Sequence, residues 1–141
     1  MQELENELIL YLTNDNPLSN NFNEAYMAID PGIPKETPDG DPLSDSDRSY
    51  AFEGYQIYQL SDETIGPADL NDIEKARLIF QCDVANDIDV VVNYVQDTEM
   101  ELSVPTLMAN GDNEGVSHSF QVTKDAFAQG DNALINHKTY Y

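Results

Sequence analysis

The feature that most constrains this chain is a series of short segments with period-two alternation, separated by clusters of Gly, Pro, Asn and Asp. In Leu8–Leu12, residues Leu8, Leu10 and Leu12 share one side. Tyr50–Leu60 alternates on both sides, with Gly54 in its middle predicting a bulge or a close backbone approach. In Ala76–Val84, residues Ala76, Leu78, Phe80, Cys82 and Val84 share a side, and Asp89–Val95 and Val116–Thr123 follow the same rule. Alternation over four to eight residues places side chains on the two faces of a strand. Asn86-Asp87 predicts a hairpin turn between two of these strands. Met100–Met108 adds a short strand, and Leu134–Tyr141 begins a last one. Phe22–Ala28 and Asp125–Ala128 read as helical turns. With no long amphipathic helix, the expected fold is all-β, an antiparallel β-sandwich or barrel.

Thr13–Ser49 breaks the pattern. It is polar, holds five of the seven prolines, and reads as one long acidic loop (13–49) inserted in a single domain spanning 1–141. A loop of that length in a compact domain calls for a function or for flexibility.

Charge removes several function classes. Twenty-seven Asp and Glu against 6 Lys and Arg give a net charge of −21. Nucleic-acid binding needs cations to displace phosphate counterions, and anionic membrane surfaces attract the same cations. The chain has no apolar run of the length needed to insert in a membrane. A divalent cation or a basic protein partner remains compatible. The single cysteine, Cys82, permits no internal disulfide and reads as a small buried hydrophobe on its strand.

No catalytic constellation emerges. Ser117 and Ser119 flank His118 outside any nucleophile-elbow sequence, and His118 and His137 lack metal-ligand spacing. Among cofactors, calcium is the candidate. Asp39, Asp41, Asp45 and Asp47 bring four carboxylates into nine residues around Gly40, and hard oxygen ligands on a flexible loop suit Ca²⁺. Asn110–Gly115 imitates the start of an EF-hand loop, although its twelfth position is Gln121 rather than Glu. Tyr50, Tyr55 and Tyr58 raise a glycan-stacking platform as a further candidate.

Leu134 stands six residues before Tyr140. In β-sandwiches a tyrosine near the start of a strand turns its hydroxyl back onto the preceding corner while a nearby apolar residue plugs the core. That pair, together with Ser19–Tyr26, Tyr50–Leu60, Lys75–Val84, Gly115–Phe120 and Asp125–Ala128, resembles a fibronectin type III-like region. Such regions occur in large secreted proteins of Bacteroidetes-type bacteria that carry a type IX secretion sorting domain at the far C-terminus. The resemblance covers most of the chain. It implies a non-catalytic structural or adhesive module, extracellular or at the cell surface, whose partners are neighbouring domains of the same polypeptide, another protein or a glycan. A Ca²⁺- or glycan-binding module, or an accessory domain beside a hydrolase, is the alternative. Such domains usually carry a Trp in their second strand; this chain has none, and Tyr11 is the expected replacement. The same resemblance implies further strands after Tyr141, so the chain reads as a fragment.

Overall fold

The computed structural model describes every residue except Thr98 and Met100. Among the described residues the secondary structure is mostly β, with nine strands, three short 3₁₀ turns and no α-helix. All pairing is antiparallel and is divided among several small sheets, none closed into a barrel. No helix among these residues is long and apolar enough to cross a membrane.

The chain forms two compact units, one of Met1–Leu12 with Gly54–Tyr141 and the other of Thr13–Glu53. In the larger unit β1 (Gln2–Leu4), β2 (Glu7–Tyr11) and β9 (Ser119–Val122) make a three-stranded sheet in the order β1-β2-β9. The two-residue turn Glu5–Asn6 joins β1 to β2, with Asn6 at φ 58. Asn tolerates that left-handed geometry better than most residues. β5 (Gly54–Leu60) pairs with β6 (Ala76–Asp83), and β7 (Val90–Asp97) pairs with β8 (Leu102–Asn110).

The face expected on β2 is the one that packs. Leu8 lies opposite Val122 and Leu10 opposite Phe120, and both partners are buried. Phe120 meets Phe80 of β6 with ring centroids 5.4 Å apart and planes tilted by 48°. Tilted aromatic pairs of this spacing add attraction beyond area burial. Leu8, Leu10, Ile57, Ile79, Val122 and Leu134 surround an apolar cavity of about 150 Å³.

Several expectations are corrected. Tyr50–Leu60 is not one strand. Ser49–Ala51 forms β4 in the smaller unit, β5 starts only at Gly54, and the chain leaves the strand at Phe52-Glu53. The uniform face on Ala76–Val84 is also broken. A register shift between Ile57 and Tyr58 pairs Ile57 with Phe80 but Tyr58 with Leu78, leaving Ile79 as the extra residue. A bulge inverts alternation beyond it, so Ile79 lines the cavity while Leu78 is exposed. Asn86-Asp87 is not a hairpin turn, because β6 pairs back to β5 and β7 pairs forward to β8. The strand expected at Met100–Met108 runs from Leu102 to Asn110, and Met100 lies outside the described residues. The strand expected over Val116–Thr123 is confined to Ser119–Val122. Leu134–Tyr141 forms a turn rather than a strand, with Lys138 N–H donating to Ile135 O and His137 at φ 65. Tyr11 does not occupy the core place of a Trp, since it is exposed opposite Ser119. Cys82 is half-buried, its sulfur accepting the Ser117 N–H at 3.4 Å.

In the smaller unit the segment expected as loop carries its own order. β3 (Met27–Ile29) pairs with β4 (Ser49–Ala51), and Phe22–Glu24 and Ser46–Arg48 are 3₁₀ turns. Glu36 bridges Pro42 around the Asp39-Gly40 turn, where Gly40 sits at φ 90.

Gly54 is where sequence and register meet most tightly. It has φ 154 and lies opposite Asp83, so a Cβ there would overlap the Cys82 carbonyl oxygen and the Asp83 Cα. Gly54→Ala is therefore expected to destabilise the protein by about 1–3 kcal/mol. Gly66→Ala is the control, because a Cβ at Gly66 meets nothing within 4 Å. The urea midpoints of the two variants make the comparison, and equal midpoints contradict the close-approach account.

Candidate functional site

The four aspartates singled out for calcium lie in the smaller unit, and the side chains of two of them, Asp45 and Asp47, are engaged by neighbours. Asp47 accepts the Ser44 N–H at 3.0 Å and the Ser44 hydroxyl at 2.5 Å, while its own N–H donates back to Ser44 Oγ at 3.3 Å. This reciprocal pair ties Ser44, just ahead of the Ser46–Arg48 turn, to the turn's middle residue. The Ser44 hydroxyl and then the Ser44 N–H hold the Asp47 carboxyl below its ordinary value. Asp45 pairs with Arg48 at 3.3 Å. Asp39 and Asp41 flank Gly40 in the turn, where Asp41 contributes backbone groups, its O accepting Thr37 N–H and its N–H donating to Thr37 Oγ1. The structure does not gather the four as a ligand set. Among the described residues no three His, Cys, Asp or Glu side chains stand together as metal ligands.

In the EF-hand-like segment the loop backbone is tied to a carboxylate of β6. The buried Asp83 carboxylate at the end of β6 accepts the backbone N–H groups of Asp112 at 3.3 Å and Asn113 at 3.0 Å. Gly111 packs directly against that carboxylate, and its N–H donates to Asp89 O at 2.6 Å. Backbone donors converging on a carboxylate are the inverse of an oxygen cage. Tyr55 and Tyr58 lie on β5 and Tyr50 on β4 of the other unit, so they belong to no common strand. Tyr55 meets the exposed His118 edge-on, with centroids 6.3 Å apart.

The principal polar centre of the larger unit escaped the sequence reading. Asp125, in the turn after β9, is 3% exposed. Its Oδ1 accepts Gln59 Nε2 at 2.8 Å and the Phe127 N–H at 2.9 Å, and its Oδ2 accepts Lys138 Nζ at 2.6 Å. Gln59, also buried, completes the ring by accepting the Ala126 N–H at 2.7 Å. Arg77 donates to Ala126 O at 2.5 Å and lies 4.5 Å over the Phe127 ring. The sequence signal was slight: Gln59 stands in phase with Ile57 on β5, while Asp125 reads as the first residue of a turn. Burial pushes the Asp125 carboxyl up. The hydrogen bonds from Lys138, Gln59 and Phe127, with the Lys138 charge, outweigh that and hold it below its ordinary value. The hydrogen bond to Asp125 raises the Lys138 ammonium above its ordinary value.

Beside this centre, the Tyr140 hydroxyl accepts the Ile135 N–H at 2.8 Å and Leu134 is buried. The Tyr141 carbonyl accepts the Leu60 N–H at 2.8 Å, laying the chain against the end of β5. No family model, curated protein or solved structure matches the chain.

The pH dependence follows from the two directions. Asp125, lowered in the folded protein, contributes stability that is present above the ordinary carboxylate range near 3.8 and is lost as pH falls through its folded value. Lys138, raised, contributes stability that is complete below 10.5 and is lost as pH rises through its folded value. Lys138→Met removes the ammonium and leaves burial less opposed, so acid destabilisation should begin at a higher pH than in the parent. Asp125→Ala should cost about 1–3 kcal/mol at neutral pH, because Gln59 and the Phe127 N–H lose their acceptor. Urea midpoints between pH 2 and 8 check both variants. An acid limb unchanged by Lys138→Met refutes the coupling.

Proposed function

We propose that this chain is a non-catalytic structural and interaction module of a secreted or cell-surface protein, built as a fibronectin type III-like antiparallel β-sandwich. The observation that carries the reading is the state of the Asp125 centre. A carboxyl serving as a general acid near neutral pH is normally raised by burial and left facing a cleft. Asp125 is the reverse: a lowered carboxyl with both oxygens engaged, tying β5, the turn after β9 and the C-terminal turn together. Its neighbours Arg77 and Lys138 are spent in the same clamp.

The Leu134–Tyr140 corner supports the sandwich assignment, since a hydroxyl turned back onto the corner beside a buried plug is a recurrent device of that architecture. The net charge of −21 supports an interaction module that stays soluble by like-charge repulsion and attracts basic partners.

The test is fractionation of cells that make the protein, with an antibody raised against this chain. The protein is expected in the medium or in the surface fraction, where protease added to intact cells removes it. Signal confined to the cytoplasm, and protected until the cells are broken, refutes the reading.

A further inference from the structure

The β7–β8 ribbon stands apart from the packing just described. Among the described residues it hydrogen-bonds to no third strand. Its base is fastened by Gly111 N–H to Asp89 O and by Gln81 Nε2 to Asn110 O. A two-stranded hairpin alone is marginal in water and gains stability when one face is covered. Among the described residues, the apolar side chains at the base of the ribbon are open. Val92 lies opposite Leu107, and Val90 follows two residues before Val92 on the same strand. Val90 is 45% exposed, Val92 40%, Leu107 61% and the adjacent Met108 50%. The register shift between Val91 and Val92 brings Met108 to the bulge beside this pair.

The charge around the ribbon says what can cover it. From Leu78 to Thr123 the chain has no Lys or Arg, against eight Asp and Glu. Asp89 and Glu101 lie at the two ends of the ribbon. Of the cations outside that stretch, Arg48 pairs with Asp45, Lys75 with Asp69 and Lys138 with Asp125. A second copy of this chain would bring like charge against like charge. A partner with cations bordering its apolar contact would gain both burial and Coulomb attraction.

We propose that the β7–β8 ribbon is a docking surface for a partner protein that presents an apolar strip bordered by Lys or Arg. The proposal rests on the module reading above, and the two fail separately: fractionation reports location, whereas binding reports this surface.

Three synthetic strand peptides serve as probes in titration calorimetry: one alternating Val and Lys, one alternating Val and Glu, and one alternating Ser and Lys. The Val/Lys peptide is expected to bind, more weakly as salt rises, and the other two far less. Val92→Thr with Leu107→Thr should weaken Val/Lys binding about tenfold. Thr keeps strand propensity, and unchanged hydrogen-exchange protection of the β7–β8 backbone amides establishes that the ribbon persists. Asp89→Asn with Glu101→Gln should flatten the salt dependence instead. The proposal is overturned if Ser/Lys binds as well as Val/Lys, or if the double Thr variant binds unchanged. It is equally overturned if sedimentation shows a dimer that the double Thr variant dissolves, for a second copy then covers the face.

Discussion

The larger unit depends on one buried carboxylate. Asp125 is almost fully removed from water, and a lone ion in that position costs several kcal/mol. The cost is met by three donors from three parts of the chain: Gln59 from β5, the Phe127 N–H from the turn itself, and Lys138 from the C-terminal turn. Each of those segments is thereby fixed relative to the others. Among the described residues no buried side-chain N or O is left without a partner, so this polar centre is complete. A complete network specifies geometry where an apolar contact would tolerate sliding.

The apolar core is modest beside it. The buried apolar side chains described are Ala76, Phe120, Val122 and Leu134, with Phe80, Ile57 and Ile79 half-buried around them. Phe80 with Phe120, and Ile57 and Ile79 with Val122 and Leu134, meet where the β1-β2-β9 sheet faces the β5-β6 pair. Tyr140 and Leu134 sit in the same corner, so the hydroxyl contact to Ile135 and the apolar plug reinforce the Lys138 position. Scaffold and ribbon thus divide the chemistry. Cations are drawn into the clamp and the loop pairs, while the ribbon keeps acidic residues and open apolar side chains.

The division also explains how acidic clusters are used. Sequence clusters of Asp suggest divalent cations, but here Asp45 and Asp47 find donors nearby. Asp47 finds Ser44 and Asp45 finds Arg48, each close by in the chain, whereas Asp83 finds the backbone N–H groups of Asp112 and Asn113 across the fold. Local donors two or three residues away are available at little entropic cost.

What the sequence alone determined is what depends on neighbours in the chain. Period-two alternation set strands in Glu7–Tyr11, Ala76–Asp83 and Val90–Asp97, and chose Leu8 and Leu10 as the packed side of β2. Gly54 announced a close approach because only a residue without Cβ fits against Cys82 O. Tertiary structure alone decided which strand pairs with which. Asn86-Asp87 looks like a hairpin turn whether or not the flanking strands are partners, and hydrogen-bond register is a property of two segments rather than one. The bulge at Ile79, invisible to a period count, turned Leu78 outward and brought Ile79 to the cavity. The Asp125 centre was hidden for the same reason: Gln59, Asp125 and Lys138 are far apart in sequence, and a carboxylate becomes structural only when folding removes its water and supplies donors in its place.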